Sequence, residues 1–274
     1  MKMNIRQITA ALACALMMAD ISSTAAWAEE KWNQAEEDWN QEVEITAHRG
    51  DSSEAPENTI PAFEAAIESG ADWIELDVGV TMDGVLVVLH DEDLQRVAGN
   101  PRKIWEMTFE EVRCLDVGSS FGPTFGGTGI PSLEEVLDYC RGRIRLNIEI
   151  KYRPGRDLAF IPRMVDLIRQ KEMLDQCMIT SFNYGCLQMV KIFEPGLKTG
   201  LISSKPIDKP EIYTDADKFV LSIELIEPDT VNRIHGLGKE VVAWTVNDQY
   251  SVDKCRRAGT DNIITDKPDD IIQE

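Results

Sequence analysis

The feature that most limits what this chain can fold into is a regular alternation beginning at residue 43. Short β-branched or apolar runs are each followed by a stretch with the spacing of an amphipathic helix. The strand-like runs cover residues 43–48, 73–81, 144–151, 178–182, 198–203, 219–223, 240–246 and 262–266. Helical spacing occupies residues 60–69, 133–140, 158–171, 184–193, 228–237 and 250–258, while 205–217 is a weak helix that makes its repeat irregular. Alternation of this kind predicts an α/β fold, a closed (β/α)8 TIM barrel rather than an open doubly wound sheet. A small insertion after the second strand, about residues 91–130, interrupts the pattern. An extra short strand is expected just ahead of it at 85–90 and a short helix at 108–114. The Gly-rich stretch 118–129 lacks GxGxxG or Walker spacing, so it reads as a flexible lid over the barrel mouth rather than a phosphate cradle.

Upstream of the barrel, residues 1–28 have the makings of a secretory signal peptide: Lys2 and Arg6, an apolar stretch from Ile8 to Ala19, and Ala26-Trp27-Ala28 as a cleavage pattern. Residues 29–42 read as an acidic leader, with Trp32 and Trp39 at helical spacing, and residues 43–274 are expected to form a single barrel domain. The apolar stretch is shorter than the ~20 residues a membrane span needs, and no later segment qualifies. An exported protein of the periplasm or the extracellular medium is therefore expected. The 28 Lys+Arg against 48 Asp+Glu, a net charge of −20, argue against nucleic acid or an anionic membrane as partner. Beyond Cys14, the cysteines at 114, 140, 177, 186 and 255 are odd in number and form no CxxC pair, so buried thiols with at most one bridge are expected.

Reactive side chains in a parallel barrel project from the C-terminal ends of the strands. In Trp73-Ile74-Glu75-Leu76-Asp77-Val78, Glu75 and Asp77 share one face and the aliphatic residues the other. Leu146-Asn147-Ile148-Glu149-Ile150-Lys151 repeats the arrangement, aiming Asn147, Glu149 and Lys151 inward. Three inward carboxylates repel one another unless a cation joins them, and an all-oxygen set suits Mg2+ or Ca2+ better than zinc. A salt-bridge cluster around Lys151 is the structural alternative. His48 and Arg49 end the first strand and His90 the short strand after the second; imidazoles move protons near neutral pH, and Arg pairs with phosphate oxygens. His235, before Gly236, is expected to cap a helix or sit on the surface.

These residues fall in ordered blocks: His48-Arg49-Gly50, Pro56-Glu57-Asn58-Thr59, Glu75-Leu76-Asp77-Val78, Asp83-Gly84, His90-Asp91, residues 130–135 (IPSLEE), Asn147-Ile148-Glu149-Ile150-Lys151, Ser181-Phe182, Trp244-Thr245-Val246-Asn247 and Thr265-Asp266-Lys267-Pro268. In them the chain resembles the glycerophosphodiester phosphodiesterases, over about residues 43–270, and its short insertion resembles the compact bacterial members. The resemblance implies a metal-dependent hydrolase that splits glycerophosphodiesters, such as glycerophosphocholine and glycerophosphoethanolamine, into sn-glycerol 3-phosphate and an alcohol. Carried over by position, Glu75, Asp77 and Glu149 are implied as ligands of one divalent cation. His48 and His90 are implied as the acid/base pair, and Arg49 and Lys151 as phosphate-binding cations. Glu57 is a weaker candidate for ligand or substrate contact. Trp244 is implied beside the glycerol or leaving group, with an aromatic plug in the barrel top as its structural alternative.

The resemblance also implies attack by the glycerol hydroxyl next to the phosphate, giving a cyclic phosphate that water opens; direct attack by water remains open. Either imidazole can begin as acid, and the position of His90 beside the insertion places it at the leaving group. Two other functions compete with this one. A phospholipase-D-like phosphodiesterase acting on lysophospholipids would have an exposed apolar rim beside Trp244 and the 121–125 loop, whereas a small polar pocket favours glycerophosphodiesters. A non-catalytic surface binding protein would have lost a histidine or carboxylate, and none is missing.

Overall fold

The computed structural model describes residues 43–153 and 158–272. The signal peptide and acidic leader expected over residues 1–42 lie outside the described residues. Eleven strands follow in chain order among those described: β1 (Glu44–His48), β2 (Trp73–Val80), β3 (Leu86–Val88), β4 (Asp93–Leu94), β5 (Asn100–Lys103), β6 (Arg145–Ile150), β7 (Cys177–Ser181), β8 (Lys198–Ser203), β9 (Lys218–Ser222), β10 (Glu240–Trp244) and β11 (Asn262–Thr265). Eight of these, β1, β2 and β6 to β11, pair in parallel, each with the next. The ring closes because β1 pairs with β2 on one side and β11 on the other. The (β/α)8 TIM barrel is therefore the fold.

Alternation along the strands divides the side chains into two sets. Ile74, Leu76, Ile148 and Ile150 face outward into a buried layer with Phe63, Leu133, Leu137 and Ile161 from the surrounding helices. A second layer joins Phe219, Leu221, Val241 and Ile263 to Val231, Ile234, Val252 and Cys255. Inside the barrel, Ile202, Val220, Val242 and Ile264 pack together with Trp244 against them. Toward the C-terminal ends of the strands the interior is thus apolar on the β8-to-β11 side and carboxylate-rich on the β2-to-β6 side, while the buried Lys218 and Asn262 sit two positions below Val220 and Ile264.

Local chemistry explains where the helices begin. Ser132 and Glu135 form a reciprocal capping box ahead of Leu133–Cys140, and Asp248 accepts from Ser251 N to start Gln249–Ala258 one residue earlier than the periodicity implied. The weak helix expected over 205–217 is reduced to the single 3-10 turn Pro210–Ile212. Pro206 and Pro210 each remove a backbone donor, so a continuous helix cannot form there. The ribbon of β4 and β5 and the terminal helix Pro268–Ile272 carry too few residues for a periodic signal.

The insertion has a core of its own. Val87, Leu89, Leu94, Ile104, Met107, Val112, Val117 and Ile130 are buried together, with β3 running antiparallel to β2. Its glycine-rich loop is pinned rather than free: Asp116 accepts from the backbone N–H groups of Gly118, Ser119 and Gly127. A Cβ at Gly118 would stand 2.0 Å from the Phe125 carbonyl oxygen, so that glycine serves close packing. The flexible lid expected from composition is corrected to a bonded turn.

All five cysteines of the described residues are free thiols, four of them buried. No described helix is long and apolar enough to cross a membrane.

Candidate active site

Barrel register brings the polar residues together. His48 pairs with Glu75 across β1 and β2, while Glu75 pairs with Asn147 and Asp77 with Glu149 across β2 and β6. The chain then turns back sharply at Arg49, whose φ of 60° is left-handed, and at Gly50, where a Cβ would meet Ala62 at 2.7 Å. That turn lets Arg49 N donate to Glu75 Oε2 at 3.1 Å. It also sets the guanidinium 3.4 Å from Asp77 Oδ2 and 3.0 Å from Glu57 Oε1. Asn58, likewise left-handed at φ 58°, bonds Asp77 twice, by its amide to Oδ2 and by its Oδ1 from the Asp77 N–H.

Glu75, Asp77 and Glu149 are buried, and each offers an oxygen within 4.8 Å of the others. Lys151 Nζ lies 2.8 Å from both Asp77 Oδ1 and Glu149 Oε1. Burial opposes the Asp77 charge, but Lys151 and Arg49 outweigh it and hold that carboxyl below its usual range. Burial, then the neighbouring Asp77 and Glu149, push Glu75 up to about 8. Burial likewise raises Glu149, against the pull of Lys151. Lys151 and Arg49, the latter shared with Glu57, therefore leave the three carboxylates short of positive charge. The donor set fits a hard divalent cation, which prefers oxygen ligands.

Both histidines have carboxylate partners. His48 Nδ1 lies 2.6 Å from Asp266 Oδ1, and Asn247 holds Asp266 from both sides, donating to Oδ2 and accepting from its N–H. His90 Nδ1 lies 2.7 Å from Asp91 Oδ1, but Arg96 donates to the other Asp91 oxygen and pairs bidentately with Glu57. Burial pulls His48 down, yet the Asp266 bond and the Glu75 charge overcome it, so His48 is raised. For His90 burial prevails over Asp77 and Asp91, and its pKa is lowered. The Glu57 carboxylate is occupied by two guanidinium groups and stands apart from the acidic trio.

His48, Arg49, Glu75, His90, Glu149, Lys151 and Trp244 line one cavity of about 330 Å³. Trp244 donates its indole N–H to the Val220 carbonyl at 3.1 Å, and the edge-on ring of Phe182 has its centroid 5.7 Å away. The Asn147 amide nitrogen in the same wall is buried with no hydrogen-bond partner. Such a cavity can hold an anion against cations while two oriented imidazoles exchange protons with it.

Residues 48–270 match the model of the Glycerophosphoryl diester phosphodiesterase family. The chain belongs to this family. As a member it is a phosphodiesterase. It is 36% identical over 232 residues to a glycerophosphodiester phosphodiesterase of Caldanaerobacter subterraneus subsp. tengcongensis, covering 83% of this chain and 96% of that protein. A phosphodiesterase of Oleispira antarctica, solved in complex with the product sn-glycerol-3-phosphate, superposes with a TM-score of 0.80 at 29% identity, covering 84% of this chain and 95% of that one. The Thermotoga maritima glycerophosphodiester phosphodiesterase does so at 0.70 and 27%, covering 85% and 99%.

Seven residues expected from the sequence, His48, Arg49, Glu75, His90, Glu149, Lys151 and Trp244, line this cavity, whereas the groups that orient the imidazoles carry no local signal. Asp266 and Asn247 belong to blocks that carry the resemblance, and Asp91 follows His90 directly. Only the folded geometry gives them partners. Phe182, in the block Ser181-Phe182, is half exposed and stacks edge-on against Trp244 in the cavity wall. His235 pairs with Asp261 at 2.8 Å by the end of its helix, as a surface role requires.

Proposed function

We propose that this enzyme hydrolyses glycerophosphodiesters such as glycerophosphocholine and glycerophosphoethanolamine to sn-glycerol 3-phosphate and an alcohol. The observation that carries the reading is one cavity lined by both carboxylate-backed imidazoles, Arg49, Lys151, Glu75 and Glu149. Glu75, Asp77 and Glu149 would hold one divalent cation, Mg2+ or Ca2+, which supplies charge neutralisation for a phosphate oxygen. Arg49 and Lys151 bind the remaining phosphate oxygens and stabilise negative charge as it develops there. Trp244 flanks the glycerol or the departing alcohol.

His48 and His90 divide the proton transfers. Asp266 accepts only from neutral donors besides His48, so its full charge favours the imidazolium. Asp91 shares its charge with Arg96 and supports His90 less. We therefore assign His90 as the base that takes the nucleophile's proton and His48 as the acid that protonates the leaving oxygen. This order is the reverse of the one expected from chain position. The nucleophile is the glycerol hydroxyl beside the phosphate, after which the imidazoles exchange roles as water opens the ring.

An exported enzyme with residues 1–28 as signal peptide, 29–42 as acidic leader and 43–274 as catalytic domain would meet such substrates among deacylated phospholipids outside the cytoplasm. The test is release of glycerol 3-phosphate from glycerophosphocholine by the purified protein, after EDTA treatment and again with Mg2+ or Ca2+ restored. Metal-dependent release is expected. Equal release with and without metal would remove the cation from the reading, and no release at all would remove the substrate.

A further inference from the structure

Arg96, in the short insertion helix Gln95–Ala98, joins two parts of the site although no sequence block includes it. Its side chain is half exposed, while the neighbouring Leu94 is fully buried in the insertion core and fixes the backbone there. The guanidinium donates from Nη1 to Glu57 Oε2 at 2.7 Å, from Nη2 to Glu57 Oε1 at 2.8 Å and from Nε to Asp91 Oδ2 at 2.8 Å. Each carboxylate turns to a second partner in the cavity wall. Glu57 Oε1 also accepts from Arg49 Nη1 at 3.0 Å, and Asp91 Oδ1 lies 2.7 Å from His90 Nδ1. Among the described residues Glu57 has no cationic partner besides Arg49 and Arg96, and Asp91 none besides His90 and Arg96. Without Arg96 the charge of Glu57 would fall on Arg49 alone and that of Asp91 on His90 alone. The rigid plane of N–H donors is what lets one side chain engage both carboxylates at three points.

We propose that Arg96 is a positioning residue for the reaction, balancing the charge of Glu57 and Asp91 so that these carboxylates orient Arg49 and His90 without claiming their charge. The inference rests on the roles given above to Arg49 and His90 in phosphodiester hydrolysis and adds the residue on which both depend. Orientation is a matter of geometry: a carboxylate held by one guanidinium presents a fixed acceptor to its other partner. Charge is a separate matter. Arg49 must keep its positive charge for phosphate oxygens, and His90 must begin neutral to take a proton. An unshared carboxylate opposes both requirements, and one already paired to Arg96 opposes them less. The same balance holds around His90 as a whole, where burial, Lys151 and Arg49 disfavour its charge and Asp77 and Asp91 favour it. Arg96 also ties the insertion to the loop after β1, so a single side chain sets the two groups relative to one another.

The experiment measures kcat and KM for glycerophosphocholine, with Mg2+ or Ca2+ present, in the native protein, in Arg96→Ala and in two double variants. Arg96→Ala should raise KM and lower kcat, each by about tenfold, the scale of one charge-assisted hydrogen bond. Its melting temperature should stay within a few degrees of native, because ion pairs of a half-exposed arginine add little stability. Adding Glu57→Gln to Arg96→Ala should return KM most of the way to the native value, since no carboxylate then competes with phosphate for Arg49. Adding Asp91→Asn to Arg96→Ala should likewise recover part of kcat. A clamp of purely structural importance predicts the reverse, because each added substitution removes another bond. Near-native constants in Arg96→Ala, or no recovery in either double variant, would overturn the proposal, and recovery in only one would overturn the joint role. Should Arg96→Ala unfold, Arg96→Gln, which keeps N–H donors without the charge, replaces it in the same comparison. No turnover by the native protein with either metal would instead strike the reading of the site on which the inference rests.

Discussion

His48 Nδ1 and Asp266 Oδ1 stand 2.6 Å apart although 218 positions separate them in the chain. They meet at the seam where β1 pairs with β11, and Ala47 opposite Thr265 is the register that sets them side by side. The bond orients the imidazole so that Nε2 is left for the cavity, where Glu75 Oε2 is 3.9 Å away. Closure of the barrel and orientation of a histidine are thus one structural event.

Asp266→Asn tests this relationship. Loss of the carboxylate charge should lower kcat by about 100-fold or more with a smaller change in KM, because the residue positions His48 and does not touch substrate. The His48 pKa falls when its raising partner is removed, so the alkaline limb of the kcat profile should move to lower pH. Asp266→Glu should recover part of both. An unshifted limb in Asp266→Asn would separate His48 from the titration.

His90→Ala should lose at least about 100-fold in turnover while its melting temperature stays within a few degrees of the parent. The side chain is partly exposed at the cavity, and its removal opens no core void. Near-normal turnover would take His90 out of the mechanism.

Glu149→Gln should weaken Mg2+ or Ca2+ binding in calorimetry and reduce activity in parallel. The amide keeps the shape but removes one charge from a trio that already includes only one close lysine. Unchanged cation affinity would show that Glu149 is not a ligand.

The Glu75 carboxyl, pushed up to about 8 by burial and by Asp77 and Glu149, predicts a pH-dependent stability of the metal-free protein. Below its ordinary value near 4.5 the group is protonated in both folded and unfolded chains and costs nothing. Between there and about 8 only the unfolded chain ionises freely, so stability falls as pH rises. The melting temperature should drop by roughly 5–10 °C from pH 5 to pH 8. Adding Mg2+ or Ca2+ at pH 8 should restore it, and Glu75→Gln should flatten the slope. A native profile as flat as that of Glu75→Gln would refute the raised carboxyl.

The barrel was legible in the chain because each strand carries its own two-residue alternation and each helix its own stripe; neither needs a distant neighbour to be recognised. The glycine-rich loop was misread for the same reason in reverse. Composition showed freedom at Gly118, whereas the contact that removes it, with the Phe125 carbonyl, exists only in the folded turn. The ribbon of β4 and β5 was missed because two and four charged or Pro-containing residues show no period.

The same division runs through the site. Glu75, Asp77, Glu149 and Lys151 were readable as inward-facing because residues two apart on a strand share a face, a property of the local backbone. Position in the chain also placed His48 and His90 at strand ends. Tertiary structure alone decided which carboxylate backs each imidazole, and that Arg96 draws on Asp91 while Asp266 is left to His48. Those relationships depend on shear and closure of the ring, which bring strands from opposite ends of the chain into register, and no local pattern encodes that register.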